Sequence, residues 1–170
     1  MALRGQGWHV SGVEADEDRL TAALDIGAVD AAGWDAEAEV SFVATPVGQI
    51  PEMVVEALAV APGGVVTDVG GVKAPVVEAV GDPRFVGGHP MAGSEQEGVE
   101  GADPAMFVDA NWVLTPSGDT DDGAFALIRS VVTSLGAEVV TLAPDRHDAL
   151  VALVSHVPHL TASALMGMAA

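Results

Sequence analysis

The sequence predicts an α/β protein: a doubly wound, mostly parallel sheet, incomplete at its N-terminus and followed by the start of a helical domain. Three observations carry this. Short β-branched runs alternate with amphipathic segments, the signature of parallel βαβ units. The strand runs are almost wholly apolar, as expected where helices cover both faces of a sheet. From Pro144 the alternation stops and one long apolar helix begins.

The elements follow in order. Residues 1–7 read as the last turn of a helix and its glycine exit, leading into a strand over 8–14. A helix is expected over 16–25, a strand over 40–44, and a helix over 50–60 closed by Pro62-Gly63-Gly64. A strand over 65–69, a short helix over 73–80 and a strand over 85–88 come next. Strands over 112–115 and 138–142 flank a helix over 121–135, which the turn at 119–123 introduces. The final helix, from Asp145, contains Pro158, which removes a backbone donor and is expected to kink it. Two domains are expected: a dinucleotide-binding one over 1–143 and the first helix of a helical domain over 144–170. Both ends read as interruptions. The first strand and phosphate loop of a nucleotide-binding unit are expected before Met1, and the apolar helix breaks off uncapped at Ala170.

Composition narrows the function. The chain has 170 residues, 49% of them hydrophobic, enough for one ordinary core. With no cysteine it has no disulfide, thiolate-metal site or thiol nucleophile. Six Lys and Arg stand against 25 Asp and Glu, a formal charge of -19. Such a surface repels phosphate backbones and anionic lipid, so neither nucleic acid nor membrane is expected as a partner. No run approaches the ~18 apolar residues that span a bilayer, and no signal peptide is visible, so a cytoplasmic setting is expected.

The candidate site residues lie at expected strand ends. Glu14 closes the first strand, where dinucleotide-binding folds place an acid on the adenosine ribose; a carboxylate there favours NAD over NADP. Thr45, Pro46 and Val47 follow the next strand, where a cofactor lies; an ordinary strand-to-helix loop is the plain alternative. Gly70-Gly71 permit close approach of backbone to a ligand, and Lys73, the single lysine, either attracts an anionic substrate or starts a helix at the surface. The densest signal is Gly87-Gly88-His89-Pro90-Met91-Ala92-Gly93-Ser94-Glu95. It delivers an imidazole, which titrates near neutrality, into a glycine-flanked loop as a candidate base. Ser94 and Glu95 can hydrogen-bond a ligand or cap the loop. His156 and His159 lie three apart, roughly on one helical face. Without a third ligand they point to substrate contact or packing, and no metal site is expected.

The His89 stretch, together with Ser155-His156-Val157-Pro158-His159-Leu160, resembles the prephenate dehydrogenases and their arogenate-using relatives. Asp68 to Lys73, Trp112-Val113-Leu114-Thr115-Pro116 and Arg146-His147-Asp148 fit the same pattern in the same order, so the resemblance spans essentially the whole chain. It implies a Rossmann-like fold and an NAD(P)-dependent oxidative decarboxylation of prephenate to 4-hydroxyphenylpyruvate in tyrosine biosynthesis. His89 would accept the ring-hydroxyl proton, and His156, Ser94, Glu95 and Gly71 would line the substrate. Glu14, Thr45, Pro46 and Val47 would lie along the cofactor. A homodimer is implied for the full-length family member. The chain departs from the family in three ways: Gly71 replaces a frequent serine, the phosphate loop is absent, and no arginine follows Arg146 to hold a substrate carboxylate. Two other readings stand beside this one: an arogenate dehydrogenase, and a non-catalytic remnant of such an enzyme.

Overall fold

The structure, a computed structural model, describes residues 1–94, 96 and 98–169. In chain order the elements begin with α1 (Ala2–Gly5), β1 (Ser11–Gly12), α2 (Glu17–Asp25), β2 (Ala31–Ala32), β3 (Val40–Val43) and α3 (Ile50–Val60). They continue with β4 (Val65–Asp68), α4 (Ala74–Val80), β5 (Phe85–Pro90), β6 (Asn111–Thr115), α5 (Asp122–Ser134) and β7 (Glu138–Thr141). Last come α6 (Pro144–Val151), a π-helical turn (Ala152–His156) and α7 (Val157–Ala169).

Strands β3 to β7 form one sheet in sequence order. Pairing is parallel throughout except between β5 and β6. Strands β1 and β2 form a separate parallel pair. Alternation along the strands builds two cores. Val65 and its neighbour Val66 point to opposite faces. Val65 joins Val86, Trp112, Leu114, Ile128 and Val132 under α5, whereas Val66 joins Ile50, Val54, Leu58, Val76 and Phe85 under α3 and α4. Each fully buried side chain of this size stabilises the fold by roughly 1.5–3 kcal/mol. The helices are punctuated as their sequences suggest. Asp16 accepts from the N–H groups of Asp18 and Arg19 at the start of α2. Asp121 accepts from Ala124 N at 2.8 Å to start α5. Gly81, at φ 58°, takes the left-handed turn that ends α4.

Three sequence expectations change. The strand over 8–14 shortens to Ser11–Gly12, because β2 is its one ladder partner among the described residues and its other edge faces a groove. The kink expected at Pro158 takes the form of the π turn Ala152–His156. Pro158 has no N–H for the carbonyl one turn earlier, and a widened turn absorbs the mismatch on its N-terminal side. Finally, the helical run Pro144–Met168, at a mean hydropathy of 1.5, is long and apolar enough by length and composition to cross a bilayer. A count of uninterrupted apolar residues missed it, because serine, histidine, proline, threonine and glycine break the run without adding Asp, Glu, Lys or Arg beyond its first turns. Its side chains are largely exposed: Leu160 stands 67% exposed and Met166 75%.

Candidate active site

The carboxyl ends of β4 and β5 meet the first turns of α4 and α6. The meeting depends on glycine. A Cβ on Gly88 would lie 2.5 Å from the Asp68 carbonyl oxygen and 2.7 Å from Thr67 Oγ1. One on Gly87 would lie 2.5 Å from Thr115 Oγ1. The doublet that flags the motif in sequence is thus a packing requirement, which lets β5 sit close to its neighbours and hold His89 at its end. Gly88→Ala is expected to destabilise the fold by about 1–3 kcal/mol, the usual range for overpacking, measured as a lowered denaturation midpoint.

Beneath His89 lies a fully buried ion pair. Lys73 Nζ pairs with Asp68 Oδ2 and donates to the Gly88 carbonyl at 2.8 Å. Asp68 also accepts from Gly70 N at 2.9 Å and Gly88 N at 3.0 Å. The single lysine is therefore neither a surface residue nor a lure for substrate: both side chains are 0% exposed, and they tie the Gly70 turn to β5. Burial pulls the Lys73 ammonium below its ordinary range, while Asp68 works to keep it charged.

His89 itself is half-buried. Its Nδ1 lies 2.8 Å from Nε2 of His147, a side chain 1% exposed. His147 Nδ1 lies in turn 2.7 Å from Asp148 Oδ1. The Asp148 carboxylate also accepts from Lys73 N at 2.8 Å and Ala74 N at 2.9 Å, so it caps α4 from α6. Burial, then the neighbouring His147 and Lys73, lower the His89 pKa to about 4. Burial works to raise Asp148, but hydrogen bonds from His147, Ala74 and Lys73 outweigh it and hold the carboxyl below its usual range.

The signs give a pH prediction. Between about pH 4 and 6.5 the unfolded chain binds a proton at this histidine that the folded chain does not. Stability is therefore expected to fall as pH drops through that window. The lowered Asp148 pushes in the same direction at more acid pH. Denaturant titrations from pH 7 to 4 check this, and His89→Ala should flatten the upper part of the slope.

The other sequence candidates are distributed around this centre. A Cβ on Gly71 would lie 3.7 Å from both Cε1 and Nε2 of His89, which puts Gly71 directly beside that ring. His156 is exposed at the end of the π turn, and its charge is among those acting on His89. Ser94 is exposed and its hydroxyl accepts from Gln96 N at 3.1 Å, a local turn. Glu95 lies outside the described residues. Glu14 is exposed beyond the carboxyl end of β1, and its carboxylate accepts from Asp16 N at 3.1 Å. Pro46 and Val47 are exposed after β3. Thr45, just before them, carries a buried hydroxyl with no hydrogen-bond partner. It lines a cavity of about 720 Å³ between β1 and β3, together with Ser11, Val13, Trp34, Val40 and Phe42. A buried hydroxyl without a partner at the carboxyl end of β3, with an acid beyond the end of β1 on the other side of the cavity, fits a dinucleotide. Among the described residues no group of three or more His, Asp or Glu side chains is set to hold a metal ion.

Sequence reasoning placed His147 and Asp148 within the family pattern but gave neither a role in the site. Their signal was a His-Asp pair in the first turns of a helix, 58 residues from His89; only folding brings them together.

The chain is similar to known proteins of one family. The family profile for "Prephenate dehydrogenase, nucleotide-binding domain" matches residues 1–141. The chain is 33% identical over 175 residues to the prephenate dehydrogenase of Bacillus subtilis (strain 168), covering 94% of this chain and 46% of that protein. It spans less than half the length of the curated relatives it matches. Prephenate dehydrogenase from Aquifex aeolicus, solved with hydroxyphenyl propionate and NAD+, superposes with a TM-score of 0.91 at 28% identity, over 98% of this chain and 63% of that one. Synechocystis arogenate dehydrogenase superposes with a TM-score of 0.85 at 34% identity, again over 98% of this chain and 63% of that one.

Proposed function

Because the chain belongs to the prephenate dehydrogenase family, we propose that it carries the cofactor site and the base for oxidative decarboxylation of prephenate to 4-hydroxyphenylpyruvate. The single observation that carries this reading is His89: an imidazole kept neutral by burial, at a sheet's carboxyl end, with Gly71, which has no side chain, directly beside its ring. Neutral imidazole can take the proton of the substrate ring hydroxyl as that carbon is oxidised to a carbonyl. Loss of carbon dioxide then leaves a phenolate, and the proton can return from His89 to its oxygen. NAD(P)+, when bound, supplies the acceptor for the hydride. Thr45, Pro46 and Val47 would hold it along the end of β3. Glu14 would accept from the ribose hydroxyls, and its charge would disfavour a 2′-phosphate, so NAD is the proposed cofactor. His156, Ser94 and Glu95 are proposed to contact the substrate.

The test is a titration of the chain with NAD+, followed by prephenate with absorbance at the reduced-nicotinamide band. Binding with turnover supports the proposal. A folded sample that binds neither compound overturns it and favours the non-catalytic reading. Arogenate belongs in the same assay, since a structural relative at 34% identity is an arogenate dehydrogenase.

Gly71→Ser is expected to fold with little loss, since the new Cβ meets nothing closer than 3.7 Å. Its thermal midpoint should stay within about 3 °C of the parent, less than 1 kcal/mol for a chain of this size. We also propose a homodimer through the exposed apolar helix. Leu153, Leu160, Leu165 and Met168 are each more than 60% exposed, a patch that self-association would cover. Sedimentation of the chain is expected to show dimers or larger species, and a monodisperse monomer would count against it.

A further inference from the structure

Asp148, His147 and His89 form a continuous line of side-chain contacts. It runs from a carboxylate that is 26% exposed, through a buried ring, to the imidazole proposed as the base. We propose that His147 and Asp148 are positioning residues that place the His89 proton on Nδ1, leave its Nε2 bare beside Gly71, and receive the charge that His89 acquires. The inference rests on the assignment of His89 as base.

The chemistry follows from donor and acceptor capacity. A neutral imidazole donates from one nitrogen and accepts at the other. Asp148 Oδ1, already accepting from Lys73 N, can only accept from His147, so the His147 proton sits on Nδ1. His147 Nε2 is then an acceptor, and the group facing it at 2.8 Å must donate: His89 Nδ1–H. The lone pair of His89 is left on Nε2, the nitrogen beside Gly71. In the opposite tautomer two lone pairs would face each other across 2.8 Å.

The same line can carry charge. When Nε2 of His89 gains a proton, the Nδ1 proton can pass to His147 Nε2, making His147 an imidazolium against the Asp148 carboxylate. One O–H bond breaks, one N–H bond forms on each ring, and the Nδ1–H bond of His89 breaks. The reverse shift returns the proton. Transfer places the positive charge beside a carboxylate, whereas on His89 it would be opposed by the charges of His147, Lys73 and His156. Asp148 is the group that favours it.

The experiment is ¹⁵N spectroscopy of the chain with labelled histidine rings, in solution or in the solid, near pH 7.5. The expected result is His89 with its proton on Nδ1 and a bare Nε2. In His147→Asn, whose amide can still donate to Asp148 but lacks the atom facing His89, that preference should collapse to the mixture seen for free imidazole. A wild-type His89 protonated on Nε2 overturns the proposal, and needs no variant to be seen. So does a folded His147→Asn chain with an unchanged His89 pattern. The spectra require no turnover. A chain showing the expected tautomer but no activity with prephenate therefore contradicts the base assignment, and with it the charge transfer, but not the placement of the His89 proton by His147 and Asp148.

Discussion

His89→Ala is expected to lower prephenate turnover by about 10²-fold or more, the usual loss when a general base is removed. The rate of nicotinamide reduction under saturating cofactor and substrate measures it, in the chain itself or in a longer enzyme that contains it. The loss should fall on kcat, because the proton moves in the reacting step and contributes less to holding the ground-state substrate. The wild-type rate should not decline on the acid side until the pH nears the lowered His89 value of about 4. An unperturbed histidine would lose its base form near pH 6.5. Unchanged turnover in His89→Ala would remove the residue from the mechanism.

The largest expected stability effect belongs to Asp68→Ala. It strips the fully buried Lys73 ammonium of its counter-charge and leaves Gly70 N and Gly88 N without their acceptor. Breaking one side of a buried ion pair typically costs about 3–5 kcal/mol, a large fraction of the roughly 5–15 kcal/mol that holds a domain together. Chemical denaturation should show the midpoint fall accordingly. Asp68→Ala combined with Lys73→Met removes the stranded charge and should recover part of the loss. A single variant as stable as the parent would mean that the pair does not tie the Gly70 turn to β5.

What could be read from the sequence divides along physical lines. The bounds of α3 follow from local information, since Ile50–Val60 is an apolar-periodic run closed by Pro62-Gly63-Gly64, and such signals act within one turn. The mostly parallel character of the sheet follows from the alternation of strands and helices. The length of β1 does not, because a strand persists only as far as its neighbours extend, and residues 8–10 have none in a ladder. Lys73 shows the same divide. A lysine's burial depends on what folds over it, and here the covering carboxylate and carbonyl come from β4 and β5. His89 was legible because glycines crowd its motif. His147 was not, because its meaning lies in a contact with a ring 58 positions earlier.

The π turn at Ala152–His156 acts as a phase shifter. A π turn holds one residue more than an α turn, and each residue advances a helix by about 100°. The α-helical spacing that buries His147 and Val151 on α6 therefore slips by one position in the sequence at this turn, and residues 157–168 beyond it are exposed. One segment thus has two halves with different surroundings: the upstream half buries His147 and Val151, while Leu160 and Leu165 downstream stand open to a partner. A π turn closes one revolution with the extra residue inside it, so deleting a single residue within 152–156 should restore plain α-helical spacing and leave both the setting of α7 and the His89–His147 contact nearly unchanged.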